Sequence, residues 1–310
     1  MKNLEPINQT NLYGLELYFL DLIRLFNKKK FPNKLLLSGQ KGTGKSTLAY
    51  HFINYVLTLN EKYKYDIENF SINIESPEFK TILNKSNPNL ITLDVVSDKK
   101  TIDINQIRSL IDNLNKSSFN AKPRFVLVDN IELLNLNSVN ALLKILEEPN
   151  DDIYFILIHN NKKILSTLLS RCINYKINLS NNDCLQISNK ILDENLKNLV
   201  SNDLINYYFT PGEVYYLVQF ASNNNYDLSN MNLKNFIKTL IDSGHYRKND
   251  YVFNLLSNLI EFYFRKLNLS FSENINKKYS HFLQRISDTK IYNLDYESLF
   301  IEFNEEILNG

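Results

Sequence analysis

A glycine-rich segment, GQKGTGKS at residues 39–46, has the residue types and the spacing that hold the phosphates of a nucleotide. Its glycines allow successive backbone N–H groups to turn inward around a phosphate, and the helix that follows directs its positive end to the same place. The Lys45 ammonium is expected to reach the β- and γ-phosphates, and the Ser46 hydroxyl to bind Mg²⁺. The predicted phosphate-binding residues are Gly39, Gly42, Thr43, Gly44, Lys45, Ser46 and Thr47.

Hydrolysis of a nucleotide needs acidic groups beyond this loop, and the sequence FVLVDN supplies only one of them at the expected place. Asp129 ends an apolar run and is expected to hold Mg²⁺ together with Ser46. The next residue is Asn130, whose amide cannot take a proton from water. Glu132 lies two residues further on, and its side chain is expected to point elsewhere. We therefore expect the chain to bind ATP or ADP with Mg²⁺ and to hydrolyse it very slowly.

The elements that must position these residues alternate between strands and helices in the first part of the chain. Most of the strands are continuous apolar runs, which indicates an α/β domain with a parallel sheet covered on both faces. Strands are predicted at 34–38, 90–96, 124–130, 153–159 and 173–179. Helices are predicted at 12–27, 46–59, 103–117, with Asp103 as its N-cap, and 137–149, and residues 60–90 read as an irregular insertion.

After residue 180 the strand-like runs stop and helical periodicity takes over. Helices are predicted at 185–208, 212–223, 231–243, 250–268 and 275–287. The asparagine-rich stretch 222–232 is the best candidate for a linker. These observations predict an α/β domain over residues 1–180, a small helical domain over 181–224 and a C-terminal helical domain over 225–310.

The bulk composition excludes several classes of protein. The 310 residues carry a net charge of +1, which is not the strongly basic character of a dedicated DNA-binding domain. Two cysteines, Cys172 and Cys184, provide no disulfide framework and no four-ligand zinc site, so neither is expected. The sequence shows no membrane span and no signal core, and a cytoplasmic location is expected.

Residues 128–172 closely resemble the clamp-loader branch of the AAA+ proteins. The blocks NALLKILEEP at 140–149 and TLLSRC at 167–172 are highly specific to that branch, and the loop at 39–46 and residues 104–129 fit the same pattern. Within the branch the chain is similar to the delta-prime subunits of bacterial DNA polymerase III. The resemblance implies an AAA+ nucleotide-binding domain over 1–180, a helical lid over 181–224 and a C-terminal collar over 225–310 through which subunits associate.

The resemblance also implies roles for single residues. Arg171 in LLSRC is expected to act in trans, as an arginine finger that reaches the γ-phosphate held by a neighbouring subunit. The residue that senses the γ-phosphate at the end of the fourth strand is expected to be His159 or Asn160, of which Asn160 is preferred. Arg108 is expected to face DNA. Active relatives place an arginine in the lid, where this sequence has Glu213.

The implied partners are a gamma/tau motor subunit, a delta-type subunit, the sliding clamp and primed DNA. Two alternatives stay open at this point. The chain could be a motor ATPase of the gamma/tau type, although Asn130 and Glu213 stand where that type carries a glutamate and an arginine. It could also be a pure scaffold with a vestigial loop, although Lys45 and Ser46 are intact. For Arg171 itself, the alternative is an ion pair with a carboxylate on its own surface.

Overall fold

The computed structural model describes most of the chain and separates it into two compact units. The described residues are 4–96, 99–116, 120–147, 152–162, 164–205, 209–247, 249–268, 273–292 and 294–308. The first unit comprises Met1–Ile191 and Thr210–Tyr215, and the second comprises Leu192–Phe209 and Tyr216–Gly310. The three-domain division that the sequence suggests stays a prediction.

A five-stranded sheet forms the centre of the first unit. Its strands are β1 (Lys34–Ser38), β2 (Leu90–Leu93), β3 (Arg124–Val128), β4 (Ile153–His159) and β5 (Ile173–Lys176). Their order across the sheet is β2-β3-β4-β1-β5, and all four pairings are parallel. The α/β class predicted from the sequence is therefore confirmed, with β2, β3 and β5 ending two or three residues earlier than predicted.

Helices cover both faces of this sheet. In chain order they are α1 (Glu16–Asn27), α2 (Lys45–Thr58), α3 (Pro77–Leu83), α4 (Ile104–Leu114), α5 (Leu136–Glu147), α6 (Ser166–Leu169) and α7 (Asn181–Leu192). On β1, Leu35 and Leu37 pack with the side chains of α1 and α2, whereas Leu36 packs with those of α4 and α5. Because the three leucines of β1 pack on helices of both layers, they form a continuous apolar run within the strand.

Local capping explains where two of these helices begin. Asp103 accepts hydrogen bonds from the backbone N–H groups of Asn105 and Gln106, and the Gln106 side chain accepts the N–H of Asp103, which completes a capping box. This confirms the predicted N-cap. In the region expected to be irregular, Ser76 caps α3. The structure thus corrects that expectation: the polar segment before β2 contains a short helix.

The described part of the second unit contains only helices. They are α8 (Leu196–Leu199), α9 (Asn202–Ile205), most of α10 (Pro211–Asn223), α11 (Leu233–Ser243), α12 (Asp250–Asn268), α13 (Glu273–Tyr292) and α14 (Tyr296–Phe303). The helix predicted over 185–208 is divided among α7, α8 and α9, and α14 was not predicted. No helix among the described residues is both long and apolar enough to cross a bilayer.

The aromatic core beneath α2 yields a stability prediction. Phe52 is fully buried and stacks on Phe31 with ring centroids 4.6 Å apart. Phe52→Ala is expected to lower the free energy of unfolding of the first unit by about 3–5 kcal/mol, because it leaves a cavity in a packed core. The control, Leu17→Ala, truncates a side chain that is 80% exposed and should change it by less than about 0.5 kcal/mol. Equal losses in denaturant titrations of the two variants would contradict this packing.

Candidate functional site

The glycine-rich loop connects β1 to α2 and has the backbone geometry of a phosphate cradle. Gly42 and Gly44 have φ angles of 83° and 84°, in the left-handed region that side chains rarely adopt. The N–H of Gly39 donates to the carbonyl of His159 on the neighbouring strand β4, at 3.2 Å. The loop is therefore held at the carboxyl edge of the sheet, where ligands bind in open α/β folds.

The backbone N–H groups of this loop are free to donate hydrogen bonds to an anion. Within the described chain, the backbone N–H groups of residues 42–46 have no hydrogen-bond acceptor. They include the first N–H groups of α2, which no residue of the helix itself can satisfy. Successive unpaired N–H groups at a helix N-terminus bind phosphate oxygens. The backbone of the loop is therefore suited to bind the phosphates of a nucleotide.

Lys45 supplies a buried cation inside the loop. It is 3% exposed, and its ammonium donates to the carbonyl oxygens of Gly39, at 3.0 Å, and Gln40. Burial lowers its pKa to about 8, against the opposing effect of nearby carboxylates. The charge of Lys45 is therefore held by backbone carbonyls at the position where the sequence predicts phosphate binding.

Ser46 and Asp129 meet as the magnesium prediction requires. The Ser46 Oγ donates to Asp129 Oδ2 at 2.6 Å, although 83 residues separate them in the sequence. Burial raises the pKa of Asp129, while the Ser46 hydrogen bond lowers it. No cluster of three metal-binding His, Cys, Asp or Glu side chains occurs among the described residues. One carboxylate and one hydroxyl suit Mg²⁺, which completes its coordination with water and phosphate oxygens.

Beyond Asp129, a row of four polar side chains crosses the ends of β2, β3 and β4. Asn130 donates through Nδ2 to Asp94 Oδ1, and Asn160 donates through Nδ2 to Asn130 Oδ1, both at 2.9 Å. Glu132 accepts from Asn160 Nδ2 at 2.9 Å and from the Asn160 backbone N–H at 3.3 Å. The expectation that Glu132 points elsewhere is therefore wrong, because a 3₁₀ turn over Ile131–Leu133 brings it back to the sheet edge.

The two residues considered as the γ-phosphate sensor have different surroundings. His159 is buried, and its Nε2 lies 2.6 Å from the carbonyl oxygen of Lys162. Asn160 instead joins the row that contains Asn130 and Glu132. The preferred residue, Asn160, is thus the one that shares hydrogen bonds with the residues around Asp129.

The start of α10 packs directly on the phosphate loop. The Thr210 hydroxyl donates to the carbonyl of Lys41 at 2.8 Å, and the N–H of Gly212 donates to the carbonyl of Gly42 at 3.0 Å. Glu213, at the position where the resemblance led us to expect an arginine, accepts the Thr210 N–H at 2.9 Å and so caps its own helix. Burial raises the pKa of Glu213. Sequence reasoning missed this contact, since nothing in the residue pattern signals an approach between two distant backbones.

Arg171 follows the short helix α6 and pairs with Glu147 at the end of α5. Its Nε and Nη2 both donate to Glu147 Oε1, at 2.8 and 2.5 Å, and Nη1 donates to the Thr167 carbonyl at 2.9 Å. The apolar side chains of Leu169 and Ile173 beside it are 41% and 62% exposed. The surface carboxylate considered as the alternative partner of Arg171 is thus present, in an apolar surrounding typical of an interface.

Arg108 lies on α4, away from the loop residues described above. It lines a cavity of 490 Å³ between α4 and α5, together with Lys144 and several asparagines. The apolar floor of this cavity is formed by residues such as Ile153 and Phe155. The expected contact of Arg108 with DNA stays a prediction.

Comparisons with known proteins identify a family for this chain. The model of the family described as "DNA polymerase III, delta subunit" matches residues 16–181. A delta' subunit of DNA polymerase III from Buchnera aphidicola subsp. Schizaphis graminum is 31% identical over 189 residues, covering 58% of this chain and 54% of that protein. A gamma/tau subunit from Mycoplasma genitalium is 32% identical over 168 residues, covering 54% of this chain and 27% of that protein.

Among solved structures, a gamma subunit-related protein from Thermotoga maritima aligns with 91% of this chain and 96% of its own, at 18% identity and a TM-score of 0.45. The chain spans about half of the length of the curated delta' relative and about a quarter of the length of the gamma/tau relative. The sequence identities of the delta' relative and the gamma/tau relative to this chain are nearly equal, at 31% and 32%. Similarity alone therefore does not separate a delta' subunit from a gamma/tau subunit.

The close approach of α10 to the loop predicts that replacing a helix glycine by alanine destabilises the protein, which is the opposite of what helix propensity predicts. A Cβ added at Gly212 would lie 2.8 Å from the Cα of Gly42 and 3.2 Å from its carbonyl oxygen. Gly212→Ala should therefore destabilise the first unit by about 1–3 kcal/mol, although alanine normally favours a helix. The control, Ser222→Ala, changes an exposed residue of the same helix and should be close to neutral. A Gly212→Ala variant that melts at or above the wild-type temperature would show that the loop does not touch α10.

Proposed function

Because the chain belongs to the family described as "DNA polymerase III, delta subunit", we propose that it is a delta-prime-like subunit of the clamp loader. In this function it holds ATP or ADP with Mg²⁺ weakly or statically, and it supplies Arg171 in trans to a neighbouring ATPase subunit. The assembly loads the sliding clamp onto primed DNA in the cytoplasm. Its partners are gamma/tau motor subunits and a delta-type subunit, residues 181–224 serve as the lid, and the helices over 225–310 serve as the collar.

The observation that carries the proposal is the combination of an intact phosphate loop with Asn130 after Asp129. Asn130 cannot act as a base, and its amide is already bonded to Asp94 and Asn160. Glu213 adds a half-buried carboxyl, rather than an arginine, close to the loop. A site built in this way favours binding over turnover.

The surroundings of Arg171 support its role in trans. Glu147 accepts from Nε and Nη2 of the guanidinium, and Nη1 donates to the Thr167 carbonyl and to the Ser170 hydroxyl. An arginine carries five N–H groups, so one N–H, on Nη2, is left to donate to a phosphate oxygen beside these four contacts. Exposed Leu169 and Ile173 provide the apolar surface that a neighbouring subunit would cover. Arg108 and Lys144, which line the cavity between α4 and α5, are the cations proposed to face DNA phosphates.

A motor subunit of the gamma/tau type is the second candidate, because a gamma/tau relative is as similar to this chain as a delta' relative. This candidate requires the chain's own site to hydrolyse ATP, whereas the delta-prime-like function requires only Arg171. A pure scaffold would need neither. Substitutions in the loop and at Arg171 separate the three.

Nucleotide binding should depend on pH through Lys45. Only the charged ammonium attracts phosphate, and its pKa of about 8 means that the charge is lost as the pH rises above that value. The affinity of the isolated chain for Mg²⁺–ADP should be constant below about pH 7 and fall by up to about tenfold per unit above pH 8. Lys45→Arg, which stays charged, should remove this decline, and isothermal titration calorimetry measures both. A wild-type affinity that does not change up to about pH 9.5 would contradict the role of Lys45.

In reconstituted complexes, the proposal predicts opposite sensitivities at two sites. Arg171→Ala should lower ATP hydrolysis by the assembled ring by about 10³-fold at the interface that it serves, since an arginine finger stabilises the transition-state charge. Lys45→Ala should affect that hydrolysis much less. Arg24→Ala is the matched control, because Arg24 is also an exposed arginine with a surface partner, Asp21. If Arg171→Ala is silent while Lys45→Ala stops turnover, the chain is a motor subunit.

A further inference from the structure

The hydrogen bonds of Asn160 use every donor that this residue has. Its Nδ2 donates one hydrogen to Asn130 Oδ1 and the other to Glu132 Oε1, and its backbone N–H donates to Glu132 Oε2. An asparagine side chain has two N–H groups and one carbonyl oxygen. Asn160 is therefore left with an acceptor only, and its side chain cannot donate to a phosphate oxygen in this arrangement.

The orientation of these amides is fixed by the carboxylates at the two ends of the row. An ionised carboxylate only accepts hydrogen bonds. Asp94 therefore requires Nδ2 of Asn130 to face it, which turns Asn130 Oδ1 toward Asn160. Glu132 likewise requires Nδ2 of Asn160. Rotating either amide by 180° would place an oxygen against a carboxylate, so the row has one favourable arrangement.

Glu132 also places negative charge next to the phosphate loop. After Asp129, it is the carboxylate that contributes most to the potential at the Lys45 ammonium. A triphosphate brings more negative charge to this region than a diphosphate does. Electrostatic repulsion and the missing donor at Asn160 therefore act in the same direction, against the terminal phosphate.

We infer that Glu132 is a specificity-determining positioning residue, which turns the N–H groups of Asn160 away from the nucleotide and makes the site prefer a nucleoside diphosphate to a triphosphate. The inference rests on the proposed nucleotide binding and adds to it the form of nucleotide that the chain retains. In a complex whose neighbours cycle between ATP and ADP, this subunit keeps a diphosphate as a fixed part of its structure.

The test compares the affinities of the isolated chain for Mg²⁺–ADP and for a non-hydrolysable Mg²⁺–ATP analogue by isothermal titration calorimetry. The wild type should bind the diphosphate at least as tightly as the triphosphate analogue. Glu132→Gln keeps an acceptor for Asn160 and removes the charge, so it should shift the affinity ratio toward the triphosphate by about fivefold or more. Glu132→Ala also frees the Asn160 amide and should shift the ratio further.

Glu75→Gln is the matched control, because Glu75, which precedes α3, is an exposed carboxylate that pairs with Lys80. This variant should leave the ratio of the two nucleotide affinities unchanged. Should Glu132→Ala fail to fold, Glu132→Gln still decides, since it preserves the shape of the side chain and keeps one of the two acceptor oxygens that face Asn160. A wild type that binds the triphosphate analogue more tightly than the diphosphate, or a ratio that Glu132→Gln does not move while both nucleotides bind, would overturn the inference alone. Absence of binding for both nucleotides in all variants would instead contradict the proposed function.

Discussion

The hydrogen bond between Ser46 and Asp129 is the contact on which the arrangement of the site depends. It joins the first turn of α2 to the end of β3, across a strand that lies between β1 and β3 in the sheet. A parallel sheet makes this possible, because the carboxyl ends of all its strands meet at one edge. The same edge brings the backbone of His159 to Gly39. Loop, helix dipole and carboxylate are thereby assembled from segments far apart in sequence.

Around that contact, the polar side chains use their hydrogen-bonding groups on each other, which leaves few of these groups for catalysis. Asn130 and Asn160 link two carboxylates into a closed row, and Glu213 caps its own helix next to the loop. Polar side chains that are hydrogen-bonded to one another in this way are held in one arrangement. This rigidity accords with a nucleotide that is held rather than consumed. Arg171, at the end of α6, differs in that its charged guanidinium lies near the exposed apolar side chains of Leu169 and Ile173.

The sequence allowed the α/β domain to be predicted because its signals are local and strong. Apolar runs such as KLLLS at β1 and RFVLV at β3 are long enough for strands buried on both faces, and the loop motif lies directly between a strand and a helix. Asp103 showed its capping role through its position before a periodic segment. In these cases a few neighbouring residues contain the whole physical cause.

Other features of the structure could not be predicted, mostly because the residues that determine them lie far apart along the chain. The approach of Gly212 to Gly42 and the pairing of Arg171 with Glu147 depend on tertiary packing that no short pattern encodes. Glu132 was misplaced because an extended chain would carry it away from Asp129, whereas Asn130 adopts a left-handed conformation, with φ of 52°, and starts a tight turn. Helix α14 was missed at the end of the chain, where its eight residues give little periodicity.

The central claim is that the chain acts on the nucleotide of a neighbouring subunit through Arg171 while its own loop holds a nucleotide passively. The most direct measurement is an experimental structure of the assembled complex with a non-hydrolysable ATP analogue. The account predicts the Arg171 guanidinium within hydrogen-bonding distance, about 3 Å, of the terminal phosphate bound to the adjacent subunit. It would be contradicted if Arg171 remained on an outer surface, paired only with Glu147, while a neighbour's arginine reached a triphosphate at Lys45.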